Sequence, residues 1–129
     1  MYPDDRKYSK EHEWAKGDDD GTVLLGITHY AQDHLGDIVF LELPQVGTVL
    51  SQGQKLGEVE SVKSVSDLFS PISGEVLTVN QAVIDSPELV NEDPYEKGWL
   101  VRVKPAQPAE IDGLMTAADY ESFLESLDR

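Results

Sequence analysis

Two stretches, Leu41–Leu50 with the sequence LELPQVGTVL and Leu68–Leu77 with the sequence LFSPISGEVL, share the pattern L-x-x-P-x-x-G-x-V-L. Their prolines, Pro44 and Pro71, are 27 residues apart, 71 minus 44. Each Pro-x-x-Gly unit predicts a corner between two strands, because proline ends a strand and glycine lets the chain reverse. Nothing between the units is typical of a helix. The repeat therefore predicts two interlocked β halves related by a pseudo-dyad, and two copies are too few for a solenoid.

One lysine lies between the two corners, 19 residues after Pro44 and 8 before Pro71. Within Gly57–Phe69, two runs typical of β-strands flank Ser61–Ser64, a centre that contains neither glycine nor proline. A pseudo-dyad through this centre places Lys63 at the tip of a hairpin, where its flexible stem is within reach of a modifying enzyme. The nearby acids that are candidates for guiding such an enzyme are Glu58, Glu60 and Asp67. Taken alone, a lysine is usually just a solubilising surface residue.

The chain before the first corner predicts two strands with a short helix between them. Thr22–Ile27 is typical of a strand, and Thr28 can cap a helix that Gly36 ends. Asp37–Leu43 alternates as the second strand. Its alternation places Ile38, Phe40 and Glu42 on one face, and Val39 and Leu41 on the other.

After Asn80 the pattern changes to helices. Ser86–Glu88 indicates an N-cap, a proline at the first helical position and an acid in the first turn. Gly98–Lys104 alternates as a last strand, and Thr116 with Asp119 resembles the capping box of a final helix. We expect this helix to pack over the β core through a one-sided apolar stripe. The stripe consists of Tyr120, Phe123, Leu124 and Leu127.

Composition and length narrow the class of protein. The 129 residues include 25 acidic and 10 basic side chains, a net charge of −15, which disfavours binding to nucleic acid or to anionic membranes. No apolar run approaches the ~20 residues of a membrane span. The absence of cysteine excludes disulfides, thiolate metal sites and thiol nucleophiles. We expect one domain over 1–129, with a β core at about 22–104 and a C-terminal helical segment at about 108–128.

The usual enzyme signatures are missing. His12–Lys16 begins like a zinc-protease motif but lacks the second histidine, and in Gly21–Thr28 the place of a phosphate-binding lysine is taken by Ile27. The three scattered histidines, His12, His29 and His34, do not argue for a metal. We therefore predict neither catalytic residues nor a metal site.

The first residues favour a cytoplasmic protein. Met1–Lys7 lacks the apolar core of a signal peptide and is too acidic for an organelle transit peptide. A processed chain of the mitochondrial matrix stays open as the alternative. We expect the protein to be a monomer.

The segment Glu60–Asp67, followed by Ser70–Val76, resembles the lipoyl-lysine region of the glycine cleavage system H-protein family. Other blocks match in the same order and extend the resemblance over essentially the whole chain. They are Lys10–Trp14, Gly26–Thr28, Ala31–Asp37, Glu42–Pro44, Asp85–Asn91, Asp93–Tyr95 and Gly98–Trp99. The family's lysine is often followed by alanine, whereas Ser64 follows Lys63 here, a change that we do not expect to block lipoylation.

The resemblance implies a fold and a cofactor. The fold is mainly β with peripheral helices, a barrel-sandwich hybrid of the lipoyl and biotinyl type with short helices and a C-terminal helix. The cofactor is lipoic acid in amide linkage to Lys63, which removes the ammonium charge and supplies a dithiolane that cycles between disulfide and dithiol. A chain without cysteine suits this chemistry because no protein thiol competes with the carrier disulfide.

The resemblance also implies the partners. A lipoate ligase, or a lipoyl or octanoyl transferase, attaches the cofactor, and glycine decarboxylase (P-protein) loads an aminomethyl group onto it. An aminomethyltransferase (T-protein) then passes the one-carbon unit to tetrahydrofolate, and dihydrolipoamide dehydrogenase (L-protein) reoxidises the dithiol. The chain would be a non-catalytic shuttle in glycine catabolism. With a charge of −15, we expect it to dock on basic patches, more weakly as salt rises.

In the family the loaded arm folds back into a surface cleft, and by position Glu13, His34 and Asp67 are the candidates for that cleft. A carboxylate such as Glu13 is suited to hold the ammonium by a charge-assisted hydrogen bond, and His34 to line the arm. On this hypothesis Glu13→Ala leaves lipoylation intact but shortens the life of the loaded form. Equal decay rates of the two loaded proteins, measured without partners, would contradict it.

Other interpretations stay open at this point. Biotinyl domains carry their lysine between methionines, whereas Val62 and Ser64 flank Lys63; lipoyl domains of 2-oxoacid dehydrogenases place an aspartate before the lysine and lack the C-terminal helices. An H-like protein that relays lipoyl groups to other enzymes would look the same at Lys63. Two alternatives come from other classes of protein. One is an unmodified interaction module of this fold, and the other is an enzyme with Glu13 and His34 as acid and base.

Overall fold

The computed structural model describes residues 2–127, which form nine strands and five helices. The strands are β1 (Lys7–Tyr8), β2 (Glu13–Gly17), β3 (Val23–Ile27), β4 (Ile38–Glu42), β5 (Val49–Leu50), β6 (Lys55–Ser61), β7 (Val65–Phe69), β8 (Gly74–Val79) and β9 (Val101–Pro105). The helices are α1 (His29–Leu35), α2 (Gln81–Asp85), α3 (Glu88–Glu92), α4 (Ala109–Asp112) and α5 (Ala117–Leu127). No helix among these is long and apolar enough to cross a membrane.

The strands form two antiparallel sheets that enclose the main core. One has six strands in the order β1-β2-β3-β9-β8-β5, and the other has three in the order β4-β6-β7. Leu25 and Val103 of the first sheet and Leu41, Val59 and Leu68 of the second are buried in one cluster. The apolar positions of both sheets thus face each other, which confirms the prediction of a mainly β fold with peripheral helices.

The sequence repeat has a structural counterpart. An offset of 27 residues carries β4 (Ile38–Glu42) onto β7 (Val65–Phe69). The two halves also pair with each other, because β5 runs antiparallel to β8 with Val49 opposite Glu75. This arrangement agrees with the predicted pseudo-dyad.

The two repeat glycines are required for different reasons. Gly47 has a φ of +93°, in the left-handed region that glycine adopts freely. Gly74 has no such angle; a Cβ added there would lie 2.6 Å from the carbonyl oxygen of Lys104 in β9. The Pro-x-x-Gly pattern suggested that both corners need glycine's backbone freedom. Only the first corner depends on it.

A second buried cluster lies under the C-terminal helix. Tyr8 and Trp14 are fully buried there with Tyr120, whose ring stacks on that of Tyr8 at 4.9 Å. Helix α5 packs on this cluster and not on the main core between the sheets. The predicted stripe ends at Leu124, since Leu127 is 46% exposed.

The local signals for α1 are confirmed. Thr28 is the N-cap, and its hydroxyl oxygen accepts a hydrogen bond from Ala31 N at 3.2 Å. Gly36 ends the helix with a φ of +80°. The Thr28 and Gly36 positions therefore follow from capping preferences that act within a few residues.

The predicted alternation along β4 is wrong. The register against β6 shifts between Ile38 and Phe40, a β-bulge that adds one residue on β4. As a result Ile38 and Leu41 are buried, while the neighbours Val39 and Phe40 are 48% and 52% exposed.

Two boundaries after residue 80 also differ from the predictions. Ser86 ends α2, a helix capped by Asn80, and Pro87 occupies the N-cap of α3 without a side-chain bond. The predicted strand Gly98–Lys104 begins only at Val101 because Gly98 still belongs to a turn, in which its N–H donates to Asp93 O at 2.8 Å.

Candidate functional site

Lys63 occupies the predicted tip of the β6–β7 hairpin. Glu60 pairs with Val65, and Ser61 N donates to Ser64 O at 2.8 Å, so that only Val62 and Lys63 form the turn. Lys63 is exposed. The placement of this side chain at a two-residue tip confirms the predicted hairpin.

A serine holds this tip in place of glycine. Two-residue turns usually need residues with positive φ, yet neither Val62 nor Lys63 has one. Ser61 Oγ instead accepts hydrogen bonds from Lys63 N at 3.3 Å and Ser64 N at 3.1 Å. Such local side-chain bonds stabilise turns made of ordinary residues.

The junction between α1 and β4 supports the tip from one side. Val62 N donates to Asp37 O at 3.0 Å, which ties the turn to the residue after the helix. The stem of Lys63 lies over Gly36, where an added Cβ would be 3.3 Å from Lys63 Cε. Lys63 therefore lies beside the C-terminal end of α1.

Asn91, in α3, fastens both sides of this junction. Its Nδ2 donates to Gly36 O at 2.9 Å and to Gln32 Oε1 at 3.0 Å, and its Oδ1 accepts from Ile38 N at 2.9 Å. The amide thus uses its donors and its acceptor together. The sequence by itself assigned Asn91 no role, although this residue ends the matching block Asp85–Asn91.

Glu13 is buried between the sheets and is not a surface carboxylate. The residue is 3% exposed; Oε1 accepts from Ser9 Oγ at 2.9 Å, and Oε2 accepts from Phe69 N in β7 at 3.2 Å. Burial raises the pKa of this carboxyl from 4.5 to about 8, against the opposing effect of the two hydrogen bonds. Near neutral pH the group is largely protonated, and it links β2 to β7.

The other two candidates are exposed and lie on different elements. His34 is on α1, two residues before Gly36, and its ring stacks on Tyr30 at 4.0 Å. Asp67 lies on β7 opposite Glu58 and forms an ion pair with Lys55 at 3.3 Å.

The candidates are not linked to one another by polar contacts. Within residues 2–127, no hydrogen bond or ion pair joins any two of Lys63, Glu13, His34 and Asp67. Nor do the described histidine and acidic side chains form any group of three that could hold a metal ion.

Comparisons with known proteins cover nearly the whole chain. The family model described as glycine cleavage H-protein matches residues 6–127. The glycine cleavage system H protein of Carboxydothermus hydrogenoformans is 56% identical over 126 residues, 97% of this chain and 95% of that one. The one of Thermus thermophilus is 52% identical over 124 residues, 96% of both chains. A crystal structure of a glycine cleavage system H protein from Mycobacterium marinum superposes with a TM-score of 0.88 at 43% identity, covering 95% of this chain and 98% of that one.

Proposed function

Because the chain belongs to the glycine cleavage H-protein family, it is a carrier component of the glycine cleavage system, and we propose that Lys63 is the residue that bears the lipoyl group. Its fold is accordingly the barrel-sandwich hybrid of lipoyl domains. The observation that carries the proposal is the position of Lys63, an exposed lysine at the tip of a two-residue hairpin.

The residues around Lys63 fit an acyl group. No ion pair engages its ammonium in the described part of the chain, so acylation removes a charge without leaving a buried partner unpaired. Bound as an amide, lipoate would supply a dithiolane whose S–S bond is reduced as one sulfur takes up the aminomethyl group, and the dithiol left after transfer of that group would give two electrons to the dehydrogenase. Ser61 holds the turn, Gly36 leaves room beside the lysine stem, and His34 offers a polar ring on the adjacent helix.

The partners follow from this role. A lipoate ligase, or a lipoyl or octanoyl transferase, would act on Lys63. Glycine decarboxylase, aminomethyltransferase and dihydrolipoamide dehydrogenase would then act in turn on the modified chain, which contributes no catalytic group of its own. Glu13, His34 and Asp67 stay candidates for an arm cleft; Glu13 would serve from a buried position in which it must first ionise to bind a cation.

Incubation with purified lipoate ligase, lipoate and ATP tests the proposal. We expect the intact mass to rise by one lipoyl group and peptide mapping to place that group on Lys63 alone. The other lysines in the same sample, such as Lys10 and Lys97, serve as internal controls, and Lys63→Arg should gain no mass. A folded chain that the ligase leaves unmodified, or modifies elsewhere, would refute the proposal and favour an unmodified interaction module.

Asn91→Ala is expected to slow this modification by positioning the tip less well. The variant loses the bonds that hold Gly36 and Ile38, and small misplacements near a reacting group are costly, so kcat/KM for ligation should fall up to about tenfold. Asn80→Ala is the matched control: Asn80 also forms three hydrogen bonds, to Ala82, Lys97 and Trp99, away from the tip.

Both asparagine variants should lose stability, by about 1–3 kcal/mol each. Thermal unfolding of both proteins shows whether the two losses are comparable. Equal ligation rates for Asn91→Ala and Asn80→Ala would mean that Asn91 contributes stability and nothing specific to Lys63.

A further inference from the structure

The outer face of the three-stranded sheet lies directly beside Lys63. Residues opposite one another on neighbouring strands point to the same face of a sheet. Phe40 pairs with Glu60, and Glu60 pairs with Val65, so these three side chains form one row next to the tip. One step further from the tip, Glu42, Glu58 and Asp67 form a second row. We call these six residues the outer face.

The first row is apolar at both ends and open to solvent. Phe40 is 52% exposed and Val65 is 59% exposed, and they flank the carboxylate of Glu60. The tip residue Val62 is 69% exposed, and the bulge turns Val39 outward beside Phe40. Bulges commonly redirect side chains next to functional sites. Four large apolar side chains are therefore exposed around one lysine, which is more than the scattered apolar residues of an ordinary surface.

The second row gives the face a negative charge. The outer face has four carboxylates, and Lys55 forms ion pairs with two of them, Glu58 at 2.8 Å and Asp67 at 3.3 Å. Glu42 and Glu60 have no ion pair within residues 2–127. A complementary surface would have apolar side chains at its centre and lysine or arginine at its rim.

We propose that Phe40 and Val65, on either side of Glu60, are the apolar contact by which the lipoyl-attaching enzyme binds this chain while Lys63 enters its active site. The inference rests on the proposed function of Lys63. An enzyme that acylates Nζ must bring its active site close to the unmodified lysine side chain. It must therefore cover the residues next to the tip. An enzyme that acts at the far end of a lipoyl arm has no such requirement, which singles out the attaching enzyme as the occupant.

The kinetics of ligation by purified lipoate ligase test this surface. The double variant Phe40→Thr with Val65→Thr keeps residues suited to strands but removes the apolar contact. We expect its KM for the chain to rise about tenfold, with kcat unchanged at saturating chain. The control is Val49→Thr, since Val49 is 72% exposed but lies in the six-stranded sheet; its KM should stay at the wild-type value.

A salt series separates the apolar contact from the charged one. Raising the salt from about 0.05 M to about 0.3 M should increase KM for the wild-type chain and the double variant by the same factor, because the carboxylates are present in both. A double variant that has lost the salt dependence would overturn the assignment, since its defect would then lie in the charges.

Further outcomes distinguish this inference from the proposed function. A wild-type KM for the double variant, or a lower kcat with KM unchanged, would overturn the docking surface while leaving Lys63 as the modified residue. An unchanged KM with slower loading by glycine decarboxylase would assign the face to that enzyme and also overturn the inference. If the double variant does not fold, Val65→Thr alone should raise KM about threefold, and a wild-type KM would again overturn it.

Discussion

Gly57→Ala is expected to cost more than about 3 kcal/mol of unfolding free energy, because a Cβ at this position has no space. Gly57 is buried in β6, and an added Cβ would overlap the carbonyl oxygen of Glu42 and lie 3.1 Å from its carbonyl carbon. These are backbone atoms of β4, so no side-chain movement relieves the clash, and the pairing of β4 with β6 must open. The unfolding free energy of small domains is only about 5–15 kcal/mol in total, so this loss is a large fraction of it.

Urea unfolding monitored by tryptophan fluorescence measures the effect. Gly17→Ala is the matched control, since Gly17 ends β2 with a negative φ and no described atom lies within 4 Å of an added Cβ. We expect that control to stay within about 0.5 kcal/mol of the wild type. A Gly57→Ala protein with the wild-type midpoint would show that β4 and β6 can separate at little cost.

Glu13→Gln is expected to make the protein more stable than the wild type in alkaline solution. The folded pKa of Glu13 is raised to about 8 from its ordinary 4.5, so the folded protein holds a proton that the unfolded chain has lost. Between these two values the wild-type stability therefore falls as pH rises, by about 1.4 kcal/mol per pH unit. Glutamine resembles the protonated carboxyl and does not titrate. From pH 6 to pH 9, the stability advantage of Glu13→Gln should grow by about 3 kcal/mol.

Urea unfolding of Glu13→Gln and of the wild type at pH 6 and pH 9 measures this difference in stability. Glu75→Gln, a change of the same kind at an exposed glutamate of β8, should show no comparable growth. A constant difference between Glu13→Gln and the wild type across this range would mean that Glu13 is ionised in the folded protein. It would then be available as an anion for an arm cation without any further ionisation.

The sequence determined those features that depend on near neighbours or on the repeat. Thr28 and Gly36 bound α1 because capping acts over a few residues, and Tyr8 and Trp14 are buried as expected for large aromatic rings. Lys63 at the hairpin tip followed from the two β-type runs that flank Ser61–Ser64, since the chain must reverse between two such runs when they pair.

Tertiary structure alone decided the features that depend on distant partners. The bulge at Ile38 and Phe40 is a matter of register against β6, and no alternation within β4 encodes it. Asn91 matters because its bonding partners come from α1 and β4, more than fifty residues earlier in the chain. Glu13 is polar and would be expected at the surface; its burial, which raises its pKa, comes with the fold, in which Phe69 of β7 donates a hydrogen bond to it. A sequence pattern specifies which residues can pair or cap locally, whereas burial and register are set by whichever segments the fold brings against them.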